Sequence, residues 1–264
     1  MLDGAATTVF ALLAGADSST AARLGVSMVA LQASIGALND LIDAPADAGR
    51  KPGKPIPSGL VGKGVAQVIV IGGAVAGLVL AAGSGPGLVA LGAVVLAIGY
   101  AYDRWAKGTA WSWLPFAIGI PLLPVFAWFG AVGRLPAAFA ILLPAGIAAG
   151  AALAIANARA DIERDAAAGH ASVAVRLGPD RAWRLSAGLL GAVVLVALGS
   201  LVARPVPPVS LAAAVVAAGV VALGVGWARR GGASPARRER AWEIEAIGVA
   251  LLAAAWLSGV PDLR

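Results

Sequence analysis

Two short acidic stretches stand out in this chain of 264 residues: NDLIDAPAD at 39–47 and NARADIERD at 157–165. On a helix Asn39 and Asp43 share a face, and Asp40, Asp43 and Asp47 follow one another at i, i+3 and i+7. Asn157, Asp161 and Asp165 are spaced by four and project from one stripe, with Glu163 turned elsewhere. Like charges at such spacing destabilise a helix and resist desolvation, so a counter-charge must accompany them. Arg and Lys can supply it. Two all-oxygen clusters also suit Mg²⁺, a hard ion that takes carboxylates, waters and substrate phosphates. A diphosphate would then be bridged by the ions, and Arg50, Lys51, Lys54 and Lys107 would neutralise its outer oxygens. Pro45 lies inside the first stretch, which predicts a bent or unwound end under Asp47.

The elements that position these residues are apolar throughout. Hydrophobic residues make up 59% of the chain and charged residues 13%, with a mean hydropathy of +0.86; a soluble domain carries roughly 25% charged residues. Windows of about 20 residues pass with almost no charge, the length that crosses about 30 Å of hydrocarbon. They lack the polar face that a soluble amphipathic helix needs. Nine apolar segments are predicted, near 4–16, 21–43, 60–82, 86–104, 113–132, 136–160, 182–203, 207–228 and 240–260. The first is short, and the start MLDGAATTVFALLAGA lacks the basic region of a cleavable signal, so it reads as a helix of the mature protein. The expectation is an all-α, polytopic transmembrane helix bundle of about nine helices, forming a single membrane-embedded domain over 1–264.

There is no cysteine and one histidine, which excludes disulfides, thiolate metal sites and multi-histidine centres. The net charge of +6 reports membrane topology, not nucleic-acid binding. With the 39–59 loop placed on the cytoplasmic side, 16 of the 20 Lys and Arg fall on that side; Arg23, Arg134, Arg204 and Arg264 do not. The second acidic stretch lies four crossings later and returns to the same side. A lone acidic triplet at a helix end reads as a solvated cap, whereas two such clusters on one side of a membrane read as functional. Each ends a helix and continues into a basic, glycine-containing loop, a pattern that suggests two loosely similar halves, with too little identity between them to make a repeat.

The first stretch with its K-P-I-P-S-G tail resembles the first signature of the UbiA-type membrane prenyltransferases, and DIERDAAAGHASVAVRLG resembles their second. The resemblance covers essentially the whole chain. It implies a UbiA-like fold, and transfer of an isoprenoid chain from an allylic (poly)prenyl diphosphate to an aromatic or lipophilic acceptor, with release of diphosphate. It also implies Mg²⁺ as cofactor, in the form of two ions bridging the substrate diphosphate, and a multi-pass protein whose active site faces the cytoplasm. Carried over by position, Asp40, Asp43, Asp47, Asp161 and Asp165 would hold the metal, supported by Asn39 and Asn157, with Asp40, Asp43, Asp161 and Asp165 as the catalytic set. Ionisation leaves an allylic cation, which carboxylates and aromatic faces stabilise.

YAYDRWAKGTAWSWLPF at 100–116 resembles the family's link between the fourth and fifth helices. That link usually has tyrosine and lysine four apart, whereas Tyr102 and Lys107 are five apart. Lys107 is the candidate for diphosphate contact, and Tyr100 and Tyr102 for substrate contact. Trp105, Trp111 and Trp113 read as an interfacial belt. His170 reads as a loop residue without a catalytic role, and the run Arg229, Arg230, Arg237, Arg238, Arg240 as topology and anionic-lipid contact. Two other readings stay open: a cyclase of the same family that uses no acceptor, and a secondary transporter whose paired carboxylates bind Na⁺ or protons. An alcohol phosphatidyltransferase is discounted because its single D-G-x-x-A-R…G-x-x-x-D-x-x-x-D block is absent.

Overall fold

The computed structural model describes residues 2–48, 53–229 and 234–259. Arg50 and Lys51 of the expected anion clamp, and Arg230, lie outside the described residues. Every regular element among the described residues is helical. In chain order these are α1 (Leu2–Leu13), α2 (Ser18–Asp47), α3 (Lys63–Ala82), α4 (Pro86–Ala101), a π-helical turn (Tyr102–Ala106), α5 (Leu114–Val132), α6 (Phe139–Ala160), α7 (Ile162–Ala167), α8 (Val173–Leu177), α9 (Pro179–Val202), α10 (Pro208–Arg229) and α11 (Pro235–Gly259). Eight of them are long and apolar enough to cross a membrane; α1 is shorter. Each of the nine expected apolar segments has its helix, and the short α7 and α8 fill the loop that holds the second motif.

The chain divides into two compact units, Met1–Trp105 with Leu122–Arg134, and Ala106–Pro121 with Leu135–Arg264. One acidic stretch belongs to each.

In the first unit α2 is the organising element. Asp17 caps it, accepting from the N–H groups of Ser19 at 2.9 Å and Thr20 at 3.0 Å. The Ser19 hydroxyl and the Thr20 N–H hold the Asp17 carboxyl well below the usual carboxylate range. At 30 residues α2 is about 45 Å long by its rise per residue, longer than a bilayer core, so its acidic last turns reach past the apolar span. Leu24, Met28 and Leu31 are fully buried on it, as are Leu88, Phe126 and Trp128 on α4 and α5. Lipid tails give helices no hydrophobic drive to associate, so close packing and hydrogen bonds must do so. Accordingly α3 meets α2 through glycines: a Cβ on Gly73 would stand 2.7 Å from the Ala30 carbonyl oxygen. Ser27 and Ser34 donate across the same seam to the carbonyls of Gly77 and Val70, at 2.8 and 2.6 Å. Near the start of α2, Arg23 donates to the Leu80 carbonyl at 2.6 Å and the Ser84 hydroxyl at 2.7 Å, capping the C-terminal end of α3.

The second unit is built on the same rule. Gly224 of α10 lies against Glu245 of α11, Gly248 against Val221, and Gly259 against Ser210, so the two helices pair antiparallel with no side chain on the glycine side. Ala152, Leu190 and Val221 join α6, α9 and α10 in one apolar cluster, and Ile155, Ala174 and Ala182 join α6, α8 and α9 in another. Trp113 packs against the latter, unlike Trp105 and Trp111, which are exposed; the expected interfacial belt therefore loses Trp113 to packing.

Candidate active site

The first motif occupies the last three turns of α2. The helix continues through Pro45 to Asp47, and the Ala48 N–H still donates to the Ala44 carbonyl at 3.2 Å. The expected unwinding is thus absent: Pro45, with its ring exposed, forfeits its own backbone donor, yet helical bonding resumes beyond it at Ala48. Asp40, Asp43 and Asp47 consequently stay on one helical side. Asp40 and Asp43 are half-buried and Asp47 is buried.

Lys54 folds back onto this side and forms an ion pair with Asp40. Burial alone would lower the Lys54 pKa. The hydrogen bond to Asp40 and the charges of Asp40, Asp47 and Asp43 outweigh burial and hold the ammonium above its ordinary value. One of the four cations of the expected anion clamp is therefore the counter-charge of the acidic cluster itself.

Asn39 donates its Nδ2 to the Oδ1 of Asp103 at 2.6 Å. Asp103 is 5% exposed and sits in the π-helical turn after α4. A π turn closes i to i+5 instead of i to i+4 and so takes one residue more. That is the same excess as the five-residue spacing of Tyr102, which opens this turn, and Lys107, which follows it. Sequence reasoning missed Asp103 as a partner of the motif: its signal is the one acidic residue of the 100–116 link, 64 positions from Asn39. The Tyr100 hydroxyl is engaged inside the first unit. Ser34 gives its proton to Val70, so the Tyr100 hydroxyl donates to Ser34 at 2.6 Å, joining α4 to α2.

In the second unit the stripe Asn157, Asp161, Asp165 is not one continuous helix. The α6 helix ends at Ala160, Asp161 has φ −100° and ψ 6°, and α7 restarts at Ile162. The Asp165 N–H still donates to the Asp161 carbonyl at 2.9 Å, which keeps the two aspartates one turn apart. Arg164 pairs with Asp161. Glu163 turns away from both, as its position predicts, and pairs with Arg238 of α11. Arg238 is 8% exposed, so this member of the arginine run is a buried partner and not a lipid contact. Arg229 and Arg237 lie over the rings of Trp183 and Trp227, with 5.5 and 5.1 Å to the ring centres.

Arg159 braces the base of this motif. Its Nε donates to the Pro179 carbonyl at 3.0 Å and both Nη groups to the Ala228 carbonyl at 3.2 Å, tying the ends of α6, α9 and α10 together. The loop after α7 returns the chain to Lys107: Ala171 donates to the Gly108 carbonyl at 3.0 Å, and the His170 ring lies against Gly108. His170 Nδ1 is 3.7 Å from Asp165 Oδ1. The second unit therefore brings the Lys107 loop to the loop that follows Asp165 and α7.

No three His, Cys, Asp or Glu side chains converge as a ready-made metal cage among the described residues. The donor set nonetheless fits Mg²⁺. That ion keeps several waters and is held by one or two carboxylates together with substrate phosphates, so it needs no all-protein cage.

A family model described as the UbiA prenyltransferase family matches residues 4–257, through both acidic motifs. The chain belongs to the UbiA prenyltransferase family. It is a multi-pass integral membrane protein with that family's all-helical fold. A UbiA homologue from Aeropyrum pernix K1 superposes with a TM-score of 0.79 at 20% identity, covering 96% of this chain and 94% of that one. A UbiA homologue from Archaeoglobus fulgidus, solved bound to GPP and Mg²⁺, gives 0.66 at 18% identity, with 96% of each chain covered. By sequence the chain is 35% identical over 152 residues to the 1,4-dihydroxy-2-naphthoate octaprenyltransferase of Mycobacterium tuberculosis (strain ATCC 25618 / H37Rv). That match covers 54% of this chain and spans half the length of the relative. UbiA membership sets aside the secondary-transporter reading.

Proposed function

We propose that this UbiA-family chain transfers an isoprenoid chain from an allylic (poly)prenyl diphosphate to a lipophilic or aromatic acceptor, with Mg²⁺ as cofactor and diphosphate as the second product. The observation that carries the reading is a family match that runs through both carboxylate motifs. Asp40, Asp43 and Asp47, with Asp161 and Asp165, are the proposed metal-holding carboxylates, and Asn39 and Asn157 their neutral partners. Bound Mg²⁺ would neutralise charge building on the leaving diphosphate. The two ions of the sequence reading remain part of the proposal, supported for divalent metal by the A. fulgidus homologue bound to GPP and Mg²⁺.

The chain's own residues supply the rest. Lys54, paired with Asp40, is the proposed cation for the outer diphosphate oxygens, and its ammonium would serve them where Asp40 held the metal. Lys107, on the loop fixed by Gly108, contributes a second cation, and Arg50 and Lys51 complete the proposed clamp. Loss of diphosphate leaves an allylic cation, which the acceptor attacks with loss of its proton. The excess of Lys and Arg in the loops on the motif side supports a site that faces the cytoplasm.

The acceptor is tested by incubating purified protein with geranyl, farnesyl and octaprenyl diphosphates against an acceptor panel, followed by mass analysis. Dihydroxynaphthoate heads the panel because the M. tuberculosis relative is named for it. A product whose mass is acceptor plus prenyl chain supports transfer. Diphosphate release with a hydrocarbon product and no acceptor adduct replaces it with the cyclase.

A further inference from the structure

Asn39 and Asp103 form a pair with a defined polarity. A carboxylate only accepts hydrogen bonds, so the amide must turn its NH₂ toward Asp103 Oδ1, the 2.6 Å contact. An amide's oxygen and nitrogen leave the same carbon in opposed directions, so this bond fixes the Asn39 Oδ1 on the side away from Asp103. Asn39 shares its helix face with Asp43, and α2 stays helical through both. The result is a neutral, hard oxygen donor held beside three carboxylates without adding a fourth like charge to a strip that already carries Asp40, Asp43 and Asp47. Asp103 is well placed to hold that orientation: it is only 5% exposed, and it stands in a π-helical turn, a rare element found frequently at functional sites.

We propose that Asp103 is a positioning residue of the first motif, fixing the amide of Asn39 so that its oxygen serves the metal–diphosphate group. The inference rests on the prenyl-transfer reading for the group that it serves. An outer partner that orients a metal ligand is worth about 10- to 100-fold in metal affinity. A pair that merely holds α2 to the turn after α4 would change melting temperature and leave that affinity alone.

The polarity of the pair gives its test. Asp103→Asn sets two amides face to face, so either orientation of Asn39 becomes available. Asn39→Asp sets two carboxylates face to face. The double variant Asn39→Asp/Asp103→Asn restores one donor and one acceptor in reversed order and again presents an oxygen at position 39. Mn²⁺ is titrated into detergent-purified protein with inorganic diphosphate and followed by electron paramagnetic resonance, with melting curves recorded in the absence of metal. The expected result is a loss of about tenfold or more in Mn²⁺ affinity for each single variant, and recovery of most of it in the double variant. Wild-type affinity in Asp103→Asn, with active wild-type prenyl transfer, overturns this inference alone. A double variant that binds no tighter than the single ones also overturns it. Wild-type protein that binds no Mn²⁺ overturns both this inference and the metal reading beneath it.

Discussion

Ala171 donates its backbone N–H to the carbonyl of Gly108 at 3.0 Å, and the His170 ring closes over the same glycine. This backbone bond joins the loop that carries Lys107 to the loop that follows Asp165. Gly108 has φ +73°, and a Cβ there would stand 3.2 Å from the His170 ring. A left-handed non-glycine residue costs about 1–2 kcal/mol. Gly108→Ala is therefore expected to lower the melting temperature and to raise KM for the prenyl diphosphate more than it lowers kcat. Thermal melts and steady-state kinetics check this, and an unchanged KM would show that the loop does not hold Lys107 for the substrate.

Lys54 competes with any cation for the first motif. An opposite charge at ion-pair range shifts a carboxylate's proton affinity by roughly one to three decades. Lys54→Met is expected to tighten Mn²⁺ binding by about tenfold, a modest share of that range, while KM for the prenyl diphosphate rises. Titration of Mn²⁺ in the absence of substrate separates the two effects.

The Glu163–Arg238 pair predicts a pH response outside the membrane spans. Burial would raise the Glu163 pKa, but the hydrogen bond and charge of Arg238 outweigh it and hold the carboxyl below its ordinary 4.5. A depressed carboxylate stabilises the fold above its unfolded pKa, and that contribution is lost as pH falls through the folded one. Wild type is expected to melt above Glu163→Gln near neutral pH, with the difference closing below about pH 4.5. A gap that stays constant across this range contradicts the pair.

Two glycines in the second unit make a controlled comparison. A Cβ on Gly224 would stand 2.7 Å from Glu245 Cγ and 3.0 Å from the Ala241 carbonyl oxygen, whereas one on Gly191 meets nothing within 4 Å. Because the Ala241 contact is backbone, α10 and α11 must separate to admit it. Gly224→Ala is expected to destabilise by about 1–3 kcal/mol, and Gly191→Ala to be neutral or slightly stabilising. Denaturation of the two variants side by side in detergent measures the difference.

The helix inventory was legible because a transmembrane helix is written in one uninterrupted apolar window, and charges such as Asp17, Lys63 and Arg229 mark its ends. The carboxylate stripes were legible because their spacing is local. What escaped depended on partners distant in sequence or on small backbone choices. Asp103 meets Asn39 across 64 positions, and Arg238 meets Glu163 across 75. Proline chemistry predicts a break at Pro45, yet α2 continues through it to Asp47 and the Ala48 N–H bonds back to Ala44. Conversely, nothing in NARADIERD marks Asp161 as the joint where α6 ends. Sequence period gives direction around an ideal helix and is silent on where that helix stops.

The central claim is that carboxylates of both motifs serve one Mg²⁺-dependent ionisation. Its most direct measurement is diphosphate release from a radiolabelled allylic diphosphate by purified protein, with and without Mg²⁺, in wild type, Asp43→Ala and Asp161→Ala. Release by wild type only with Mg²⁺, abolished in each variant, is the predicted result. Unchanged turnover in both variants would contradict the account.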